Sequence, residues 1–294
     1  MKCRPTGWPK RASFSMPSNR ERAQESPGWR LVWLVAMALL PLATTACKSI
    51  HAVQVPVRAG EVVSPATASD AVAEGRRLYA MQPRNLARVT QAAQSLEQGA
   101  RVLREDAAAN GEAARAWCFV AENETQPAQR IAAAKRAIVL ARQARDLRPD
   151  DVAGHYWYAI SVGLLADADR LYGLNAVAEM EPALQRAIEL DERFDDAGPA
   201  RVLGLLLLRT PGPPVSIGSA RKGLRLLQRA VELAPEYPEN HLYLAEAYHA
   251  TGKIDEARAA LHKVLTAPPV VDREAEQAEW RKIALRYEAD WFKP

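Results

Sequence analysis

The sequence predicts an all-α fold in which paired helices stack in series and a last helix closes the stack. Three observations carry this. From about residue 69 onward Ala, Leu, Arg and Glu dominate, apolar residues recur at helical spacing, and no stretch alternates as a strand does. The segments QARDLRP (143–149), QRAIELDE (185–192) and QRAVELAP (228–235) repeat one helix end, and their anchoring alanines Ala144, Ala187 and Ala230 are separated by 43 and 43 residues. Near the C-terminus, Trp280, Ile283, Ala284, Tyr287 and Trp291 fall on one face of a helix that Asp272 can cap, giving a capping helix over 272–291 with one apolar side.

Ahead of this body the chain has a different character. Arg20, Arg22 and Arg30 precede LVWLVAMALLPLATTA (31–46), an apolar run that Pro41 interrupts and that ends in small residues. A spanning helix needs about 18 or more apolar residues, so residues 1–46 read as a cleaved signal peptide. Met16 as the start gives a leader of more ordinary length. Cys47 follows at once, and LATTAC resembles a bacterial lipobox, in which the Cys is acylated and becomes the mature N-terminus. Thr44 departs from that pattern, standing where Leu is usual. The resemblance implies lipid attachment at Cys47; the plain alternative is secretion with cleavage near Ala46. Residues 47–68 carry Pro, Gly, Ser and Val without a helical period and read as a flexible tether, leaving 69–294 as the folded domain.

Charge and cysteine usage narrow the function classes. Of 39 Lys/Arg and 35 Asp/Glu, seven and two fall in residues 1–46, leaving 32 and 33 in the rest. A balanced body offers no field for a phosphate backbone, which argues against nucleic acid. Of the three cysteines, Cys3 lies in the leader, Cys47 is the candidate anchor, and Cys118, in AWCFVA, reads as a small core residue with no disulfide partner.

The last repeat has the clearest spacing. His241, Leu244, Ala245, Tyr248, Ala257, Leu261 and Pro269 match the offsets of the tetratricopeptide repeat, with His241 in place of the usual Trp. Ala245 and Ala257 let the two helices approach, Leu244, Tyr248 and Leu261 fill the space between, and Gly252 makes the turn. Against a regular repeat of about 34 residues, the 43-residue spacing implies lengthened repeats. The extra residues are expected at 165–179 and 209–222, inside the helix pairs. An earlier pair near 109–147 fits the pattern less closely.

Over more than half its length, in HYWYAISVGLLA (155–166) and in the stretch from DDAGPARVLG (195–204) to HATGK (249–253), the chain resembles the bacterial tetratricopeptide lipoproteins related to the T component of TRAP transporters. The resemblance implies a periplasmic, lipid-anchored helical scaffold on the cell envelope, with the outer membrane as the expected site. It also implies a pore or groove offered to a substrate-binding protein and its small organic-acid cargo.

In stacked helix pairs the first helix of each pair lines the concave side, the default binding surface. This places Tyr156, Trp157 and Ile160, then Arg201 and Leu205, then Leu242, Tyr243 and Glu246, toward a groove suited to a protein segment or an organic anion. HYWY can equally be core, and His155 and Tyr158 are expected there. Asp150, Asp151, Asp195 and Asp196 are expected to solvate turns between repeats. In GSARKG (218–223), Ser219 reads as a helix cap rather than part of an anion site. No metal-ligand spacing, nucleophile elbow or phosphate loop is present, so neither a metal, a cofactor nor catalysis is expected. The expected function is non-catalytic: a scaffold that binds a protein partner through its concave face. The alternative is a TRAP-associated accessory that passes a small organic anion with a substrate-binding protein.

Overall fold

The computed structural model describes residues 64–169, 172–271 and 273–292, all within one compact unit. Among them are eleven helices and no strand. They form five antiparallel pairs: α1 (Pro65–Ala80) with α2 (Leu86–Val102), α3 (Ala107–Asn123) with α4 (Pro127–Leu147), α5 (Val152–Ala168) with α6 (Gly173–Leu190), α7 (Phe194–Arg209) with α8 (Ala220–Leu233), and α9 (Pro238–Ala250) with α10 (Ile254–Thr266). The closing helix is α11 (Glu274–Trp291). Each helix packs on its chain neighbours, and the first helices α1, α3, α5, α7, α9 and α11 also touch in sequence, forming an inner layer. This is the tetratricopeptide solenoid expected from the sequence.

Local chemistry sets the helix starts. Pro65, Pro127 and Pro238 occupy first turns, where the missing N–H is no loss. Asn85, Asp106, Asp151 and Ser219 accept hydrogen bonds from the backbone N–H of Arg88, Ala109, Ala153 and Lys222, so Ser219 is indeed a cap. Because Ser64 caps α1, the helix begins at Pro65, inside the segment expected to be tether; Cys47, the expected signal peptide and the rest of the expected tether, up to residue 63, lie outside the described residues. Asp272, the expected cap of the last helix, also lies outside them, and Arg273 is the residue before α11.

The lengthening of the repeats takes two forms. In the α5–α6 pair, with 17 and 18 residues against 13 and 13 in α9–α10, it lengthens both helices, α5 running to Ala168 and α6 starting at Gly173. In the α7–α8 pair it forms the loop 210–219, whose Val215 stands exposed. At α9–α10 the regular unit is kept, with Gly252 at φ 77° in the turn.

His155 is not the core residue expected. It is half-buried, and its imidazole bonds the Pro149 carbonyl at 2.8 Å. Two 43-residue periods later, His241 bonds the Pro235 carbonyl at 2.6 Å in the same way. The histidine that replaces Trp in the repeat thus ties the helix start to the preceding turn. Tyr158 and Cys118 are buried as expected.

Alanine controls the approach of the helices. Ala245 on α9 and Ala257 on α10 are both fully buried, and Ala245 shares one apolar cluster with Leu261 of α10. Replacing either by Leu is expected to overpack the pair by about 1–3 kcal/mol. Unchanged denaturation midpoints in both variants would rule out this packing register.

Candidate functional site

All six inner helices contribute to one internal cavity of about 110 Å³. Its wall is part aromatic and part charged. Tyr79 comes from α1, Arg115, Phe119 and Glu122 from α3, Trp157 from α5, Asp195 and Arg201 from α7, Glu239 from α9, and Trp280 from α11.

The centre of this wall is an abnormal helix start. Asp195, Asp196 and Ala197 have φ of 49°, 55° and 64°. Three successive non-glycine residues in the left-handed region cost about 1–2 kcal/mol each, so the surroundings must hold them there. Arg201, one turn on, does so: its Nη1 donates to the carbonyls of Asp195 at 3.3 Å and Asp196 at 2.9 Å, and to Asn240 Oδ1 at 3.1 Å. Asn240 Nδ2 donates to the Asp196 carbonyl at 3.1 Å. The Arg201 Nε lies 3.1 Å from a Glu239 carboxylate oxygen, and the guanidinium sits over the Tyr237 ring.

Asp195 is the second hub. Its carboxylate accepts from Tyr156 Oη at 2.7 Å and from Arg273 Nη2 at 3.0 Å. Gly198 makes room for the tyrosine, since a Cβ there would come within 2.5 Å of Tyr156 Oη. Burial acts to raise the Asp195 pKa, but the positive charges of Arg201 and Arg273 and the Tyr156 hydrogen bond outweigh it and hold the group below the usual carboxylate range. The sequence expectation that Asp195 solvates a turn is therefore corrected: a left-handed turn folds it inward onto two arginines. Asp151 caps α5, and Asp150 pairs with Arg186 at the surface.

Glu122 has the opposite setting. It faces the cavity and makes no hydrogen bond or ion pair among the described residues. Burial, reinforced by the negative charges of Glu239 and Glu276 and opposed by Arg273, pushes its pKa up to about 8, so it is mostly protonated at neutral pH.

Of the eight residues read from the sequence as groove lining, Tyr156, Trp157, Ile160, Arg201, Leu205 and Tyr243 line this cavity although they span three repeats. Arg201, expected to reach for a ligand carboxylate, is instead buried and engaged by the chain's own Asp195 and Glu239. Leu242 and Glu246 are corrections: Leu242 is fully buried in the α9 core, and Glu246 is turned aside by Arg209, at 2.8 Å, and by the Tyr287 hydroxyl at 2.6 Å. Sequence reading missed Arg115, Phe119 and Glu122. Their spacing from 115 to 122 follows one helix face, and a charged residue at each end of an otherwise apolar stripe was the available signal.

Among the described residues, no group of His, Cys, Asp or Glu is placed to hold a metal, and no helix is long and apolar enough to cross a membrane.

The sequence model of the TRAP transporter T-component matches residues 79–286, most of the chain, from the end of α1 into α11. The chain belongs to the TRAP transporter T-component family. Among solved structures, this T-component is similar to TTC0263, a thermophilic TPR protein of Thermus thermophilus, at 20% identity and a TM-score of 0.54, covering 74% of this chain and 99% of that one. It also resembles MamA (14% identity, TM-score 0.45, covering 79% of this chain and 98% of that one) and YrrB, described as a TPR protein with an unusual peptide-binding site (15%, 0.45, 76% and 92%). No curated protein matches the sequence. The likeness to TTC0263 establishes the repeat fold for this T-component.

Proposed function

We propose that the protein is a non-catalytic accessory scaffold of the cell envelope, anchored through lipid on Cys47, that docks a substrate-binding protein of a TRAP system on the inner face of its solenoid. The observation that supports this most is the convergence of all six first helices on one aromatic and charged wall, in a chain of the T-component family. Aromatic and arginine side chains in such a setting are the usual anchors of a protein interface.

A photo-reactive residue at Ile160, on the inner face, is expected to cross-link a TRAP substrate-binding protein in intact envelopes, whereas one at Arg225, exposed on α8, is not. Cross-linking from Arg225 alone sinks the inner-face reading. Cys47→Ser is expected to release the protein from membranes, and mass spectrometry showing an unmodified N-terminus elsewhere in the wild type rejects the anchor.

A second reading is favoured by the small volume of the cavity and by Arg115. In it, the scaffold also shelters a small organic anion that passes to or from the docked partner. A space of about 110 Å³ suits a small molecule rather than a peptide.

A further inference from the structure

The loop 210–219 and the helix it feeds carry chemistry that the inner face does not use. Residues 211–215 are exposed, Val215 at 78%. The base of the loop is clasped: Gly218 N–H donates to the Pro211 carbonyl at 2.8 Å, and Ser219 N–H to the Leu207 carbonyl at 2.7 Å. Ile217 packs back on the core. Pro213, Pro214 and Val215 therefore stand in water as an apolar tip on a fixed base, and burying that tip elsewhere costs little further ordering.

The first two turns of α8 follow directly and expose Arg221, Lys222 and Arg225, whose spacing puts them on one face. Their side chains make no ion pair, hydrogen bond or ring contact among the described residues. Arg229, one turn further on, is by contrast neutralised by Glu192 at 2.6 Å and Glu232 at 3.1 Å. Positive charge in a first turn works against the helix dipole, so these three cations do not stabilise α8. A second exposed valine shows what the combination adds. Val271, at 80%, lies between α10 and α11, and the first turn of α11 carries Glu274 and Glu276. An anionic surface repels an apolar tip flanked by carboxylates and attracts one flanked by cations.

We propose that this loop and Arg221, Lys222 and Arg225 form a contact with an anionic bilayer surface. The three cations pair with lipid phosphates, and Pro213, Pro214 and Val215 enter the boundary between headgroups and acyl chains, as apolar residues with basic neighbours do in peripheral segments. An acidic protein would also answer the cations, but the exposed tip faces no recess of its own chain and suits a fluid boundary that demands no matching shape. The contact goes beyond the docking reading and rests on its Cys47 anchor. The 17 residues from Cys47 to Ser64 reach at most about 60 Å. Tethering at that range lets a contact of few side chains persist. Because α8 is the second helix of its pair, the inner face stays open to a protein partner.

The test places dansylalanine at Val215 or Val271 of the full-length protein as the cell processes it, reconstituted in phosphatidylcholine vesicles with or without phosphatidylglycerol. A spin-labelled acyl chain serves as quencher. The probe at 215 is expected to shift to the blue and be quenched only where phosphatidylglycerol is present, and to lose both effects in about 0.5 M salt, where charge attraction is screened. The probe at 271 is expected to show neither. Arg221→Gln/Lys222→Gln/Arg225→Gln is expected to reduce the quenching at 215 at least about fivefold while melting no lower than wild type. No quenching at 215, equal quenching at 215 and 271, full quenching in pure phosphatidylcholine, or an unchanged signal in the folded triple variant each overturns the contact. Capture of an acidic protein by a photo-reactive residue at Lys222, without quenching in vesicles, overturns it as well. Mass spectrometry of the same sample separates the two claims: quenching at 215 without lipid on Cys47 removes the anchor and keeps the contact, whereas acylated protein without quenching keeps the anchor and removes the contact.

Discussion

Arg201→Met is expected to destabilise the protein by about 3–5 kcal/mol, the range found when one member of a buried ion pair is removed and its partner is left uncompensated. Two carboxylates are involved, since Arg201 serves both Asp195 and Glu239, and it is almost fully buried. The same guanidinium also holds the carbonyls of the left-handed turn, so its loss leaves Asp195 and Asp196 in a costly backbone conformation with fewer restraints. The measurement is a urea or guanidinium titration followed by circular dichroism, with the shift in midpoint compared at constant slope. Removing one orphaned charge as well, in Arg201→Met/Glu239→Gln, is expected to recover part of the loss. A midpoint shift near zero for the single variant excludes the central role given to Arg201.

The second large effect is a loss of stability with rising pH that Glu122→Gln abolishes. In the fold Glu122 keeps its proton to about pH 8, whereas in the unfolded chain it releases it near its ordinary 4.5. Between those values the folded state binds the extra proton, so stability falls as pH rises, at up to about 1.4 kcal/mol per unit, and levels off above about 8. Glu239, whose pKa burial also raises against the pull of Arg201 and Arg273, acts in the same direction. Asp195 acts in the opposite sense and in another window: its pKa is lowered, so its contribution is complete above about 4 and is lost only in stronger acid. Thermal melts at pH 5, 6.5 and 8.5 check this. Wild type is expected to melt progressively lower across the series, and Glu122→Gln to change much less. Parallel curves for the two proteins would show that Glu122 is charged in the fold.

Much of the architecture is legible because it rests on short-range chemistry. The 43-residue spacing, the small residues at helix contacts, Gly252 in its turn and the capping Ser219 all act within one or two turns of where they stand. Other features depend on distant partners. Nothing local to FDDAGPAR marks Asp195 as buried, since its inward turn relies on Arg201, on Tyr156 one repeat earlier, and on Arg273. Arg201 reads as a ligand anchor until Glu239 and Asn240 are seen beside it. The extra residues of the α5–α6 pair read as an insertion, but Leu164, Leu165, Ala166 and Ala168 extend α5, and Ala176, Val177, Ala178 and Glu179 belong to α6. Arg115 and Glu122 escaped notice because the repeat signal weakens around α3, leaving no register in which to place them on the inner face.

The bond between Arg273 and Asp195 joins residues 78 positions apart and bypasses three intervening helices. A ladder of repeats held only by adjacent contacts can fray from either end, each unit opening at its own free energy. Here the C-terminal unit is latched to the middle of the array, so α9, α10 and α11 cannot peel away without also breaking the Asp195 hub. Amide exchange in α7 and α11 should accordingly report one shared opening event, where an unlatched array of the same length would show a gradient from tip to centre.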